Sequence, residues 1–452
     1  MEVKENLSHS DLTVGSINSH LKHIAIPASI GFLFNTLFNV VDTIYAGRLS
    51  TEALAGLTIS FPIFFIIIAL SAGFGSAVTA LNSIALGKKD IKLYHQISLN
   101  ALLFGVIIGI STSIAATFFS EPLFLLLGAE GDALTLGVSY TNVIFYGATF
   151  FILNSILNGL LSSQGDTKTY RNFLILGFFL NLLFDPLFIF GWFGLPKMGV
   201  IGIAFATILV QMIGTIYLLT RLSKSTYFEW KLLKLAHKSL KTVTDLLKQA
   251  IPASLNMVTI AIGIFIINYF VIKYGGTIGI AGYGAAVRIE QIALLPALGL
   301  NVAALTITGQ NFGAGQYDRI KEVMKKANRI GLLMMVSAGI ILFILAPFIV
   351  MIFNSDPLVI AVGARYLRIE TLALFTYIFL NVSTSVLQGI KKPNYAIWIG
   401  IYRQVLPFGI FLLLGTTLNM GLDGVWWGIV IINWSAVIIT YFYTQKQLKK
   451  LI

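Results

Sequence analysis

Long apolar runs, nearly free of charge, constrain this chain more than any other feature. A run of about 20 such residues is read as a helix crossing a lipid bilayer, because only helices and closed barrels satisfy their own backbone there. Runs bounded by charge or turn clusters place spans near 24–47, 55–86, 96–119, 136–161, 171–193 and 199–220. A second set lies near 250–272, 281–310, 328–353, 366–389, 395–418 and 424–444. The 452 residues are 57% hydrophobic and 11% charged, with mean hydropathy +0.85, where soluble domains are about 25% charged. The expected fold is therefore all-α, a polytopic membrane protein of twelve transmembrane helices. The stretch from Met1 to Lys22 lacks the apolar core of a cleavable signal, so the first span is expected to direct its own insertion.

A net charge of +12 would suggest a nucleic-acid partner in a soluble chain, but here it has a topological origin. Lys88, Lys89 and Lys92 follow span two, Lys168 and Arg171 follow span four, and Arg221 to Lys248 supply a basic cluster after span six. Arg319 to Arg329 follow span eight, Lys391 and Lys392 follow span ten, and Lys446, Lys449 and Lys450 close the chain. By the positive-inside rule both termini are expected in the cytoplasm, with the protein in the plasma or inner membrane and no nucleic acid bound. The absence of cysteine excludes a disulfide framework and a thiolate metal site.

The chain is an internal repeat. Ile26-Pro27-Ala28-Ser29 recurs as Ile251-Pro252-Ala253-Ser254, LNSIALGKKD aligns with LTITGQNFGAGQYD, and Gly199-Val200-Ile201-Gly202 aligns with Gly421-Leu422-Asp423-Gly424. Six spans per repeat is an even number, so both halves enter from one side and relate by a pseudo-two-fold axis along the membrane normal. The expected organisation is a first six-helix lobe over 1–221, a cytoplasmic amphipathic linker helix over 222–248, and a second lobe over 249–452.

Polar residues inside these spans point to function, because an acid in hydrocarbon costs about 2.5 kcal/mol or more unless it faces a cavity or partner. Asn35, Asn39 and Asp42 fall at i, i+4 and i+7 on one face of span one. Asn181 and Asp185 share a face of span five, and Pro186 cannot donate to the Leu182 carbonyl, leaving a free oxygen and a hinge beside the acid. Counted at the helical rise, Asp42 lies about 8 Å, and Asp185 and Thr207 each about 12 Å, from the outer ends of spans one, five and six. Two carboxylates, an amide and a hydroxyl at similar depth form a hard oxygen set for a shared proton or an alkali cation such as sodium. A purely structural Asp–Asn cluster, or a polar seam between helices, is the competing reading. Asp42 has Ile267 or Asn268 opposite it in the repeat and Asp185 faces the region Gln404 to Pro407, so ionisable chemistry is expected mainly in the first lobe.

Other polar residues carry less information. Asn154 and Asn158 in span four and Glu290 in span eight are candidate lining residues of a substrate cavity, and Glu290 reads equally well as structurally paired. Glu370 and Arg403 on neighbouring spans are placed at different depths, as structural or gating residues. The histidines, His95 and His237 among them, show no metal-ligand spacing. Aromatics such as Phe34, Phe38 and Tyr140 read as packing, and Gly309, Gly313 and Gly315 as a tight turn without phosphate-loop context.

The segments DTIYAGRLSTEALAGLTISFP, GDTKTYRNFLILGFFLNLLFDPLFIFG, GVIGIAFAT, AAVRIEQIALLPALGLNVAALTITGQNFGAGQYDR and LQGIKKPN together resemble the multidrug and toxic compound extrusion (MATE) family, and within it the DinF-like branch. The resemblance covers essentially the whole chain. It implies a secondary active antiporter that exports amphipathic, often cationic, organic compounds in exchange for protons or sodium ions, as a monomer and without a cofactor. It also implies coupling through Asp42, Asn181, Asp185 and Thr207, and bending of the first helix at Pro27. A lipid-linked-precursor flippase is the alternative, for which more spans and a more cationic cavity would be expected. A membrane enzyme would need a nucleophile–base pair or metal cluster that this sequence does not offer.

Overall fold

A computed structural model describes residues 11–451, so the first ten residues of the polar N-terminal stretch lie outside it. All regular elements among the described residues are helical. Among the described residues nine helices are long and apolar enough to cross a bilayer, one of them a double-length run that supplies two spans, and the two remaining spans are interrupted. Span four is Gly131–Tyr146 and Ala148–Ser163, bent by 47° at Gly147. Spans seven and eight form one helical run, Leu240–Gly313, broken at Gly276 by a left-handed φ of 56° that a side chain would oppose. Span ten is Pro357–Glu370 and Leu374–Gly389, separated by a turn. The total is twelve, as the hydropathy pattern requires.

Local sequence explains the boundaries. Ser50 sits in extended backbone between spans one (Ile17–Leu49) and two (Thr51–Gly87), and its hydroxyl caps the second by accepting from the Ala53 amide at 3.0 Å. Asp90 starts span three (Ile91–Leu126) in the same way through the Leu93 amide at 2.9 Å. Asp356 caps the Leu358 amide at 2.8 Å ahead of Pro357 at the first helical position, so span ten begins nine residues before the expected 366. The hydropathy pattern opens this span only at 366, past Arg365, although the helix starts earlier.

The repeat is visible in the backbone. Gly199 and Gly421, at the starts of spans six (Val200–Leu222) and twelve (Leu422–Lys449), share φ 56° and ψ −129°. Packing, however, does not follow the linear lobes 1–221 and 249–452. One compact unit contains 30–254, and the other contains 12–29 together with residues from 255 onward. In both repeats the packing boundary falls directly after the Ile-Pro-Ala-Ser motif, two residues beyond Pro27 and Pro252. Span one is thus a continuous helix with Pro27 inside it, whose first part belongs to the second unit's core: Ile17, Leu21 and Ile24, with Leu12 ahead of the helix, are fully or almost fully buried there.

Each motif serine is seated on a glycine of its own packing unit. A Cβ on Gly299 would collide with Ser29 Oγ and the Ala25 carbonyl, and one on Gly73 would collide with Ser254 Oγ and lie 2.7 Å from the Ala250 carbonyl. In the second unit the seat is reinforced by a clasp on residues 12–15. The Leu12 amide donates to Gln310 Oε1 at 2.9 Å, Asn311 Nδ2 donates to the Leu12 carbonyl at 3.1 Å, and Arg319 donates to the Gly15 carbonyl and to Asn311 Oδ1.

The linker departs from expectation. Residues 222–248 are not one amphipathic helix lying on the membrane: a short helix, Trp230–Leu235, ends at Ala236 and helix resumes only at Leu240, already part of span seven. The physical reason is capture of its backbone by span three. Asn100 donates to the His237 carbonyl at 3.1 Å and accepts from the Ser239 amide at 3.0 Å, while His95 Nε2 accepts from the Glu229 amide at 2.9 Å. His95, whose Nδ1 bonds the Ile91 carbonyl at 2.8 Å, is therefore a docking residue.

Replacing Gly73 or Gly299 with valine should lower the melting temperature of the detergent-purified protein by several degrees, reflecting about 1–3 kcal/mol of overpacking. Gly284→Ala, where no atom lies within 4 Å of the added carbon, should leave it within about 0.5 kcal/mol of wild type. An unchanged melting temperature for both valine variants would contradict the seating described above.

Candidate cation-coupling site

The acids singled out in spans one and five meet in the first packing unit. Asp42 is 5% exposed, Asp185 and Asn181 are fully buried, and Thr207 is 3% exposed. Thr207 Oγ donates to Asp42 Oδ2 at 3.4 Å, which secures the register of span six against span one. Asn181 Nδ2 donates to Asp185 Oδ1 at 3.1 Å, the i to i+4 contact expected within span five (Lys168–Phe190). Asp42 also lies within side-chain interaction range of Asn181 and Asp185. Pro186, buried next to Asp185, stands inside the span without ending it.

What the site lacks is donors. Asp42 Oδ1, Asp185 Oδ2 and Asn181 Oδ1 are buried without a hydrogen-bond partner, and no salt bridge reaches either acid among the described residues. Two carboxylate charges ~4 Å apart repel by about 4 kcal/mol at an effective dielectric of ~20. A single proton shared between the acids, or a cation accepting the free oxygens, removes that repulsion and satisfies the orphaned atoms together. The donor set fits an alkali cation in kind, with hard oxygens only. Three-residue His, Cys, Asp or Glu clusters of the sort that hold a transition metal are absent among the described residues.

Tyr140, read from sequence as packing, is 7% exposed and within electrostatic reach of both acids. Its span position gave no signal, since a tyrosine among Phe and Val looks like core.

The candidate cavity residues separate into different environments. Asn35 and Asn39 are exposed, and Asn39 Nδ2 returns to the Asn35 carbonyl of its own helix at 2.9 Å. Asn154 is not a lining residue: it is 2% exposed, donates to the Gln211 carbonyl and Oε1 at 2.9 and 2.7 Å, and accepts from Thr215 at 2.8 Å, so it ties span four to span six. Asn158 is half-buried and accepts from Ser162 at 3.1 Å. Glu290 is 8% exposed and accepts from the Tyr366 hydroxyl at 2.5 Å.

That last contact belongs to a second acid cluster, and it corrects the expectation that ionisable chemistry is confined largely to the first lobe. Within the second unit, Glu370 is 1% exposed with both carboxylate oxygens unpartnered. It interacts with Glu290, Tyr377 and Arg403. Arg403 lies over the Tyr377 ring at 5.2 Å and donates to Asn433 at 2.9 Å. Glu370 and Arg403, placed by the hydropathy pattern at different depths, lie within electrostatic reach of each other.

Comparison with known proteins agrees with this architecture. The MatE family profile matches residues 27–187 and 252–413, so each matched block begins at the proline of an Ile-Pro-Ala-Ser motif. The probable multidrug resistance protein NorM of Thermotoga maritima is 26% identical over 445 residues, 97% of this chain and 94% of its own length. An FAD transporter of Shewanella oneidensis is 27% identical over 439 residues, 94% of each chain. A multidrug resistance MATE family transporter of the MOP superfamily, solved in an outward-facing conformation, superimposes with a TM-score of 0.91 at 27% identity, covering 97% of this chain and 98% of that one. With both repeats matched and the twelve-helix architecture shared, the chain belongs to the MatE family.

Proposed function

We propose that the protein is a secondary active antiporter, monomeric in the plasma or inner membrane with both termini cytoplasmic, that exports amphipathic cationic organic compounds in exchange for protons or sodium ions. The observation that carries this reading is the pair Asp42 and Asp185, buried with free oxygens and with no salt-bridge partner among the described residues. The names of relatives, drug-resistance proteins among them, support the substrate class. No covalent chemistry is involved. With both acids charged the site takes up a proton or sodium ion, and occupancy relieves their repulsion and stabilises the conformation that accepts it. A ligand drives such a change only by its differential affinity for the two states, and Pro27, at the edge of a packing boundary, supplies the bend between them. A flippase is not favoured, since the twelve spans leave none of the extra helices expected for one.

The test is efflux of a fluorescent organic cation such as ethidium from proteoliposomes, under an imposed pH gradient and, separately, an imposed sodium gradient. One or both gradients should drive transport by the wild type, and Asp42→Asn or Asp185→Asn should reduce it at least about tenfold with the melting temperature retained. Transport at wild-type rate by a folded Asp42→Asn variant would overturn the assignment. FAD, the named cargo of one relative, belongs in the same assay as an anionic competitor.

Glu370 motivates a second reading, in which the second unit also takes part in coupling, because neither of its buried oxygens has a donor. On that reading Glu370→Gln lowers the number of ions exchanged per drug molecule without abolishing transport. An unchanged ion-to-drug ratio would leave coupling to Asp42 and Asp185 alone.

A further inference from the structure

Outside both acid clusters, the lipid-facing side of the second unit carries a groove of about 360 Å³ between spans nine and ten. Val336, Gly339, Ile340 and Phe343 of span nine (Tyr317–Met351) line one wall, and Thr371 and Phe375 line the other. Ile340 and Phe343 are more than half exposed, so the groove opens to the side of the bundle. Its length from Phe343 to Val336 is two helical turns, about 10 Å.

Arg368 stands at one mouth. It is exposed, its guanidinium lies 5.8 Å from the Phe343 ring centre, and its Nε donates to the Phe343 carbonyl at 3.3 Å. That uses one of the five N–H groups an arginine carries. No carboxylate pairs with Arg368 among the described residues, whereas Arg365, one turn earlier, is held by a bidentate ion pair to Asp423. Asp423 lies in the first turn of span twelve and so marks that end of the bundle, away from the lysine-rich turns. Arg368 is then about 5 Å below that end, the level at which lipid headgroups meet the hydrocarbon, and the groove continues from it toward the membrane interior.

An arginine there is costly unless its charge reaches water or an anion. Its planar fork suits a phosphate held by two parallel hydrogen bonds. An apolar groove beginning at that fork selects a ligand with an anionic head and an unbranched apolar tail, and Arg368 repels the organic cations proposed as cargo. We infer that this groove is a binding site for one anionic phospholipid of the membrane leaflet opposite the lysine-rich turns, with phosphate on Arg368 and an acyl chain along Ile340 and Val336. The chain lies against the turn at 371–373 that interrupts span ten, where Thr371 Oγ donates to the Arg368 carbonyl at 2.7 Å. Gly339 forms the floor, where a Cβ would meet Thr371 only at 3.6 Å, an ordinary contact.

The test is native mass spectrometry of the delipidated full chain in neutral detergent, titrated with phosphatidylglycerol and with phosphatidylcholine of the same chains. Wild type should bind its first phosphatidylglycerol about tenfold more tightly than phosphatidylcholine, and Arg368→Gln should erase that preference. Ile340→Trp, a surface substitution that fills the groove, should weaken both lipids at this site while the melting temperature without lipid stays at the wild-type value. Lys197→Gln, an exposed cation in the other unit, should change neither. Retained preference in Arg368→Gln, undiminished binding in Ile340→Trp, or an equal loss in Lys197→Gln would each overturn the proposal. So would displacement of the lipid by inorganic phosphate at equal concentration, since that would show an anion site without a tail site.

Discussion

The mutual burial of Asp42 and Asp185 constrains the rest of the first packing unit. Two acids removed from water with three neighbouring oxygens left without donors cannot both remain charged cheaply. The surrounding helices are nevertheless arranged to bring them together: Thr207 reaches Asp42 from span six, and Asn181 orients Asp185 within span five. The proposed coupling follows from that tension, which one proton or one small cation would relieve. This is the property an exchanger needs, because the energy of ion entry is then available to shift a conformational equilibrium.

The repeat supplies the mechanical frame. In both halves the Ile-Pro-Ala-Ser motif ends where one packing unit gives way to the other, and the serine rests on a glycine that admits no Cβ. The segments leading into spans one and seven are held by dedicated side chains, Gln310, Asn311 and Arg319 in one case and His95 and Asn100 in the other. Pro27 has no amide hydrogen to give to the helical ladder, and it stands inside span one close to the point where the helix changes packing partners. The symmetry of fold does not extend to chemistry: the first unit places its acids on spans one and five, the second on spans eight and ten.

Much of this was legible in the residues. Hydropathy and charge place the spans, the verbatim motif reveals the repeat, and depth arithmetic groups Asp42, Asp185 and Thr207. The failures have specific causes. The start of span ten at Pro357 is missed because the apolar pattern sets in only after Arg365, although the Asp356-Pro357 start signal is present. Asn154 looks like a lining residue in the sequence because an amide on a helix face does not announce that Gln211 and Thr215 will saturate it. The linker has the pattern of an unbroken amphipathic helix because nothing local shows that Asn100, more than a hundred residues earlier, takes its backbone groups.

The most direct measurement of the central claim is cation release on drug binding. Detergent-solubilised protein is titrated with a cationic drug in weakly buffered solution, with protons followed by a pH indicator and, in a parallel experiment, prebound radioactive sodium followed by filtration. Stoichiometric loss of one of these ions from the wild type, absent when Asp42 and Asp185 are both replaced by asparagine, is the expected result. Drug binding that displaces neither ion from the wild type would contradict the account.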